Sequence, residues 1–182
     1  MTELELIEGC KRENKHSRHL LYTLYARQMM AICYRYTGSK TVAEDILHDG
    51  FLKVFETISR FNYRGEGSLK AWISKIFSNL SLDYLRKNDL INTSIPLENW
   101  VEHEISVEDN DVNHVPDNVL MQFIAELPSG YRAVFNLFTF EEKSHREIGE
   151  ILQINESSSR SQLTRAKAIL SKRIQLYITD NE

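Results

Sequence analysis

The stretch SHREIGEILQINESSSRSQLTRAK, residues 144–167, decides how the C-terminal part of the chain folds. Ser144 and Glu147 have capping-box spacing, which predicts a helix that starts at Ser144. Asn155 is a natural N-cap for a second helix, and Gly149 stands where the close approach of two helices needs no side chain. Two short helices joined by a tight turn predict a helix-turn-helix. The expected buried positions are Ile148, Ile151, Leu152, Leu163, Ala166, Ile169 and Leu170.

The second of these helices carries four serines near its start, although serine is roughly 0.5 kcal/mol less favourable than alanine inside a helix. In a helix-turn-helix this second helix enters the major groove of DNA, and its first residues meet bases and phosphates. Short hydroxyls would let the helix N-terminus approach a phosphate, and Arg160 and Arg165 would supply base or phosphate contacts. The alternative is a solvated helix face whose serines are incidental. The predicted DNA contacts are Ser157, Ser158, Arg160, Ser161, Thr164, Arg165 and Lys167.

The rest of the chain has helical periodicity and no strand-like alternation, which predicts an all-α fold. Apolar spacing predicts two bundle helices separated by a break at residues 37–39, with Leu24 among the buried positions. A glycine-containing loop at residues 63–67 precedes a helix that should run from Leu69 to about Lys87, with Ser68 as its N-cap. Helical spacing resumes near residue 119, and a further helix is expected after Leu127-Pro128.

An acidic segment separates the two helical parts. Residues 91–126 contain eight acids and no Lys or Arg, whereas the remaining residues carry 22 basic side chains against 18 acidic ones. This composition, with fading periodicity and two prolines, is typical of a linker. We therefore predict two small helical domains, at residues 1–90 and 117–182, joined by an acidic linker at residues 91–116.

The composition, 42% hydrophobic and 26% charged, is that of an ordinary soluble protein. The sequence has neither a positively charged leader nor an apolar run long enough for a membrane span, so we expect a cytoplasmic protein without membrane insertion. Cys10 and Cys33 are far apart in sequence, and both are predicted to be core residues. Asp45 and His48 could form half of a metal site in a helical bundle, but no matching second copy exists. Neither a metal nor another cofactor is expected.

Three sequence blocks, taken in order, resemble one family. They are AEDILHDGFLKVF at residues 43–55, RGEGSLKAWI at 64–73 with Asn79 and the DYLRK of 83–87, and Leu127-Pro128 with Tyr131-Arg132 and the helix-turn-helix. Over nearly the whole chain they resemble the sigma-70 family of bacterial transcription initiation factors, in particular its extracytoplasmic-function (ECF) group. The resemblance implies an alternative sigma factor that is not itself an enzyme. It would bind core RNA polymerase and direct promoter-specific transcription initiation.

The resemblance assigns a role to each block. The first would dock on the clamp helices of the largest polymerase subunit, although its acids equally suit the solvated face of an amphipathic helix. The second would recognise the −10 element and aid promoter opening by holding a base flipped from the melted strand. The implied polymerase contacts are Asp45, His48, Asp49 and Phe55. The implied −10 contacts are Tyr63, Arg64, Lys75, Asn79, Asp83 and Arg86.

A polar face on the second block is expected from helical spacing alone, opposite a stripe that includes Trp72. Asn79 offers donors and an acceptor for a base edge, while Lys75 and Arg86 suit phosphates. We expect Trp72 to be a core residue, and Tyr63 is compatible with either core packing or base contact. The predicted polar face comprises Lys70, Ser74, Lys75, Ser78, Asn79 and Arg86.

The same resemblance implies that the helix-turn-helix reads the −35 element and that the flap of the second-largest subunit is a further contact. It also implies an anti-sigma factor that masks these surfaces, and nucleoid association within the holoenzyme. The acidic linker would thread through basic channels of the polymerase, although its composition suits a plain tether equally well.

Three residues of the helix-turn-helix depart from the family pattern. Glycine is usual at Gln153, an apolar β-branched residue at Ser159, and a basic residue at Gln162.

The alternative function is a helix-turn-helix regulator that binds duplex DNA without polymerase. Such a regulator would bind as a dimer to a symmetric operator. This alternative leaves residues 64–87 without a function.

Overall fold

Eight α-helices make up the part of the chain that the computed structural model describes, residues 2–88 and 115–181, where no strand occurs. The all-α prediction is confirmed, and the predicted linker lies mostly outside the described residues. None of these helices is long and apolar enough to cross a membrane. The helices are α1 Glu3–Lys11, α2 Lys15–Thr37, α3 Lys40–Thr57, α4 Ser68–Lys87, α5 Asp117–Ala125, α6 Ser129–Thr139, α7 His145–Leu152 and α8 Glu156–Asn181. The chain divides into two units, residues 1–84 and 85–182.

The ends of α2 and α3 follow from local sequence. The side-chain oxygen of Asn14 accepts the Ser17 N–H at 3.0 Å and caps α2. The helix ends at Gly38, whose φ of 67° lies in the left-handed region that glycine adopts without a Cβ clash. Ser39 then caps α3 by accepting the Val42 N–H. The break predicted at residues 37–39 is therefore confirmed.

In the first unit the helices pack directly on one another around a single apolar core. A Cβ atom at Gly50 would lie only 2.2 Å from a ring carbon of Phe77, so α3 and α4 can touch only because residue 50 has no side chain. Both cysteines are buried as predicted, and burial raises the pKa of the Cys33 thiol to about 12. The core comprises Leu6, Ile7, Cys10, Leu21, Met29, Cys33, Ala43, Ile46, Phe51, Val54, Ile58, Phe61, Leu69, Ile73 and Phe77.

The expectations for Leu24 and Ser68 in this unit were wrong. Leu24 is 53% exposed, because the buried face of α2 runs through Leu21, Met29 and Cys33, roughly a third of a turn away. Ser68 is the first residue of α4 instead of its cap. Its hydroxyl hydrogen-bonds to the preceding loop.

In the second unit α5, α6 and α8 share a core of Ile124, Leu127, Tyr131, Ala166, Ile169 and Leu170. The guanidinium of Arg132 is buried and donates to the carbonyls of Ala125 and Leu127, the latter at 2.9 Å. These bonds satisfy backbone acceptors in the turn between α5 and α6. Arg173 of α8 forms an ion pair with Glu126, which follows α5.

Candidate nucleic-acid and polymerase interfaces

The capping box predicted for the first helix of the helix-turn-helix is present. Ser144 Oγ accepts the Glu147 N–H at 3.3 Å, and the Glu147 carboxylate accepts the Ser144 N–H at 2.9 Å. Hydrogen bonds from the Ser144 backbone and then its hydroxyl hold the pKa of Glu147 below its usual value. Ile148 and Leu152 are buried and Ile151 is partly buried. This helix therefore begins and packs as its sequence predicts.

The turn that follows depends on two backbone features. Gln153 has a φ of 57°, in the left-handed region that glycine usually occupies. A Cβ atom at Gly149 would lie 2.8 Å from the Ile154 carbonyl oxygen. The N–H of Ile154 donates to the Gly149 carbonyl at 3.0 Å, which closes the turn. Gly149 thus allows the close approach that the sequence predicted.

Five of the seven predicted DNA contacts share one exposed face of α8. The hydroxyl of Ser161 donates to the Ser157 carbonyl at 2.9 Å, and that of Thr164 donates to the Arg160 carbonyl at 3.1 Å. Because these side chains bond back to the helix, they stand little above its surface. Arg160 extends from the same face and pairs with Glu156. The face consists of Ser157, Arg160, Ser161, Thr164 and Lys167.

The other two predicted contacts lie on the flank of this face. Ser158 and Arg165 are partly buried, and an Arg165 guanidinium nitrogen lies 3.5 Å from the Tyr131 hydroxyl. At 100° per residue both side chains project well to one side of Arg160 and Lys167. The structure therefore separates them from the group in which the sequence placed them.

A buried polar contact joins the two helices of the helix-turn-helix. Ser159 is fully buried, and its hydroxyl lies 2.9 Å from Nδ1 of His145, the first residue of α7. The imidazole ring stacks on Phe138 with 4.9 Å between ring centres. The Lys167 ammonium lies 5.6 Å from the centre of the same Phe138 ring. Ser159 thus fills a position within the buried register of Leu163 and Ala166.

On α4 the polar residues fall into two sets. Lys75, Asn79, Asp83 and Arg86 are exposed at helical spacings and form one face. Ser78 is only 4% exposed, so its predicted place on the polar face was wrong. Lys70 and Ser74 share the side of the helix on which Ser78 lies, because the three are spaced four residues apart. This side differs from the one that carries Lys75 and Asn79. Trp72 is partly buried, and its ring lies 4.9 Å from that of Phe61, which agrees with its expected packing role.

The loop before α4 is held by hydrogen bonds at both ends. The Ser68 hydroxyl donates to the Gly65 carbonyl at 2.6 Å and accepts the Arg64 N–H at 3.2 Å. The Gly67 N–H donates to the Glu3 carboxylate at 3.1 Å. Gly65 and Gly67 have φ values of 111° and 82°, which other residues rarely adopt. The loop has a defined shape that rests on these contacts.

The aromatic residue at the start of this loop is exposed. Tyr63 retains 39% of its accessible surface, which excludes the core-packing alternative. Arg64 is also exposed. Both side chains are therefore accessible for contact with another molecule.

The predicted polymerase contacts on α3 differ in their exposure. Asp45, His48 and Asp49 are exposed on one helix face. Phe55 is partly buried against the core, with the Arg18 guanidinium 5.5 Å from its ring centre. Phe55 therefore packs against the core, and it lies about two turns along α3 on the same side as His48.

The same face of α3 continues into an exposed leucine. Leu52 follows the acids at helical spacing and is 51% exposed. Tyr22 of α2 is 45% exposed, and its ring lies 4.7 Å from that of Phe51, the residue before Leu52. An acidic face thus continues into apolar surface, which is typical of a protein-binding site.

No cluster of three or more His, Cys, Asp or Glu side chains able to hold a metal ion occurs within residues 2–88 and 115–181.

Two family models match the chain. The Sigma-70 region 2 model matches residues 21–91, and the Sigma-70, region 4 model matches residues 117–170. The chain belongs to the sigma-70 family. It is an alternative sigma factor of the ECF group, and it directs transcription initiation.

Relatives of this sigma factor align with almost its whole length. The ECF RNA polymerase sigma factor SigW of Bacillus subtilis (strain 168) is 28% identical over 178 residues, which cover 92% of this chain and 94% of SigW. The ECF RNA polymerase sigma-E factor of Haemophilus influenzae (strain ATCC 51907 / DSM 11121 / KW20 / Rd) is 24% identical over 186 residues and 96% of each chain. Among solved structures, CnrH in complex with the cytosolic domain of CnrY is 16% identical. The similarity covers 94% of this chain and 96% of that chain, with a TM-score of 0.49.

The structure gives three residues of this sigma factor a surface position or a contact that the sequence did not predict. Leu52 lies in a run of apolar residues, and only its place among the exposed acids of α3 distinguishes it. Ser159 interrupts the buried register of α8, which was a usable signal of a polar contact. Glu3 reaches the loop before α4 across 64 positions of sequence, and no local pattern indicates that contact.

Proposed function

We propose that this sigma factor binds core RNA polymerase, recognises the −10 and −35 elements, and aids promoter opening. The proposal is carried by the presence of a region 2 and a region 4 in one chain, each with an exposed face suited to a partner. Residues 1–90 would bind the polymerase and the −10 element. Residues 117–182 would read the −35 element, and the acidic residues 91–116 would connect the two along basic channels of the polymerase.

The proposed polymerase site is the α3 face, through Asp45, His48, Asp49 and Leu52. Completing the burial of a half-exposed leucine contributes roughly 1 kcal/mol to binding. Carboxylates around it would add orientation and faster association with basic partner residues. The clamp helices of the largest subunit are the proposed partner, and the flap of the second-largest subunit is proposed as a contact of the C-terminal part.

The proposed −10 site is the exposed face of α4 together with the loop before it. The Asn79 amide has donors and an acceptor for a base edge, and Lys75 and Arg86 can neutralise phosphates. Stacking of an unpaired base on an aromatic ring contributes roughly 1–3 kcal/mol. Stacking on Tyr63 would therefore offset part of the few kcal/mol that unpairing and unstacking a base costs.

The proposed −35 site is the start of α8. The helix N-terminus attracts phosphate, and the hydroxyls of Ser161 and Thr164, which bond back to the helix, permit close approach to the groove. Arg160 is the proposed base-reading residue, since an arginine that binds guanine through two hydrogen bonds contributes roughly 1–3 kcal/mol of discrimination. Lys167 suits a phosphate contact. Arg165 reaches DNA in this proposal only by leaving its weak contact with Tyr131.

An anti-sigma partner completes the proposal. Leu52 and Tyr22 leave apolar side chains exposed on the first unit, and a second protein that covers them would block the polymerase-binding face. Association with the nucleoid would follow from assembly into the holoenzyme.

The experiment that tests the proposal mixes the purified chain with its cognate core RNA polymerase. The mixture is passed over a sizing column, and the complex transcribes a pool of genomic fragments. Co-elution with new, specific start sites is expected, and aligned start sites would reveal both promoter elements. Failure to co-elute or redirect initiation, with binding of duplex DNA by the chain alone, would favour the polymerase-independent regulator instead.

A further inference from the structure

Helix α1 lies before the region 2 match, which begins at residue 21, yet it contacts the loop proposed to hold the −10 element. The Glu3 carboxylate in the first turn of α1 accepts the Gly67 N–H at 3.1 Å. Residue 67 is the last loop residue before α4. A side chain outside the matched segment therefore supports the backbone of the proposed DNA-binding loop.

The carboxylate is well placed to fix the loop. Gly67 has a φ of 82°, so its N–H direction depends on a conformation that glycine leaves poorly restrained. On the other side of the loop, the Ser68 hydroxyl bonds to the backbone of Arg64 and Gly65. The Gly67 carbonyl accepts the Ala71 N–H at 3.1 Å in the first turn of α4, and the Glu3 contact restrains the N–H on the other side of the same residue.

Several side chains of the first unit lie around Glu3. Its side chain borders a groove that Leu6, Tyr25 and Lys70 also line. Burial, and next the nearby Glu3 carboxylate, raise the pKa of the Tyr25 phenol. Glu3 is itself only partly exposed.

We propose that Glu3 is a positioning residue for −10 recognition: its carboxylate holds Gly67, and so holds the Tyr63–Gly67 loop in the shape that receives an unpaired base. This inference rests on the proposed function of that loop. It gives α1 a role in promoter opening, although Glu3 itself has no direct contact with DNA in the proposal.

The test uses holoenzyme assembled from the full chain. The probe is a fluorescent single-stranded oligonucleotide with the non-template −10 sequence mapped for the wild type, and a scrambled oligonucleotide is the reference. E3A should bind the −10 oligonucleotide roughly three- to tenfold more weakly, as expected for the loss of one solvent-exposed hydrogen bond. Permanganate reactivity of the opened promoter should fall in parallel. Core polymerase binding and affinity for −35 duplex should not change.

Two further variants separate positioning from folding. E3Q keeps an acceptor oxygen and should recover most of the binding. E5A removes the other carboxylate of the first turn, which forms the capping box with Thr2, and so weakens α1 without touching Gly67. E5A should bind the −10 oligonucleotide like the wild type.

Each contrary outcome overturns the inference. Equal losses in E3A and E5A would mean that Glu3 acts only through the stability of α1. An E3Q variant as weak as E3A would exclude the hydrogen bond, and wild-type or tighter binding by E3A would exclude a positioning role. A wild-type holoenzyme that fails to prefer its −10 sequence over the scrambled one would contradict the proposed function itself, which is a separate failure.

Discussion

The hydroxyl of Ser159 lies 2.9 Å from Nδ1 of His145, and this contact links the two helices of the helix-turn-helix through their interface. The surrounding contacts are apolar and have little directional preference, whereas a hydrogen bond has a preferred distance and angle. The pair therefore contributes to the angle between α7 and α8. In most family members, as the resemblance implies, an apolar residue occupies this position instead.

Ser159→Ala is expected to lower the free energy of unfolding by about 1 kcal/mol, because His145 loses a partly buried hydrogen-bond partner. For a unit of this size the melting temperature of the second unit should fall by about 4–8 °C. Thermal unfolding followed by circular dichroism measures the change. Ser161→Ala, on the exposed face of the same helix, is the matched control and should melt near the wild type. Equal melting of Ser159→Ala and the control would contradict a stabilising role for the contact.

Leu52→Ala is expected to weaken binding to core polymerase by roughly fivefold, because the proposed interface loses about 1 kcal/mol of apolar burial. Stability should hardly change, since half of the side chain is already exposed in the free protein. Fluorescence anisotropy with labelled sigma factor measures the affinity. Lys53→Ala changes the exposed neighbour and should bind more like the wild type. Unchanged affinity of Leu52→Ala would remove this residue from the interface.

Asn79→Ala is expected to change the preference among −10 sequences while it leaves polymerase binding and melting temperature intact. The amide is exposed, so its removal leaves no buried group without a partner. Transcription from a library of −10 variants measures the preference. Ser74→Ala alters another side of α4 and should preserve the wild-type pattern. Loss of polymerase binding by Asn79→Ala would show that the residue is structural.

Arg160→Ala is expected to weaken −35 duplex binding and to relax selectivity by roughly 1–3 kcal/mol at one base position. If Lys167 contacts a phosphate, Lys167→Ala should weaken binding to all sequences alike and reduce the salt dependence by about one counterion. Titrations at several salt concentrations separate the two effects. Lys172→Ala, further along α8, is the control.

Arg165→Ala is expected to reduce −35-dependent initiation, but by less than Arg160→Ala, because its guanidinium is turned towards Tyr131. Initiation from promoters with and without a −35 element measures the difference. Unchanged promoter use would remove Arg165 from the set of DNA contacts.

Gln153→Gly is expected to stabilise the second unit by about 1 kcal/mol, since glycine occupies the left-handed region without a Cβ clash. Chemical denaturation measures the gain. Gly149→Ala should have the opposite effect, because its Cβ would lie 2.8 Å from a backbone oxygen. If Gln153→Gly were less stable than the wild type, the glutamine side chain would contribute more to stability than its positive φ costs.

The sequence predicts the parts of this protein that local chemistry determines. The Ser144 capping box, the break at Gly38 and the buried register of α8 each depend on neighbours within one or two helical turns. The structure confirms all three. The positive φ at Gln153 agrees with the family pattern, in which glycine is usual at that position.

The errors arise where the environment of a helix comes from distant residues. Periodicity shows that a helix has two faces, but it does not fix where each face ends, which is why Leu24 and Ser78 were misplaced. The proposed contact roles of Phe55 and Arg165 remain predictions, and the structure shows what the sequence did not, namely that these side chains lie near Arg18 and Tyr131. The partner of Glu3 lies across the fold, so only the tertiary structure reveals it.

The glycine at position 50 sets how closely two helices with proposed roles in initiation approach each other. The proposed polymerase-binding residues lie on α3 and the proposed −10 residues on α4, and Phe77 joins these helices where Gly50 admits its ring. Protein cores are close-packed and transmit displacement with little compression. The close contact at Gly50 therefore sets the spacing between the proposed polymerase-binding face of α3 and the proposed −10 face of α4. A larger residue at position 50 would push α3 and α4 apart and so lengthen that spacing.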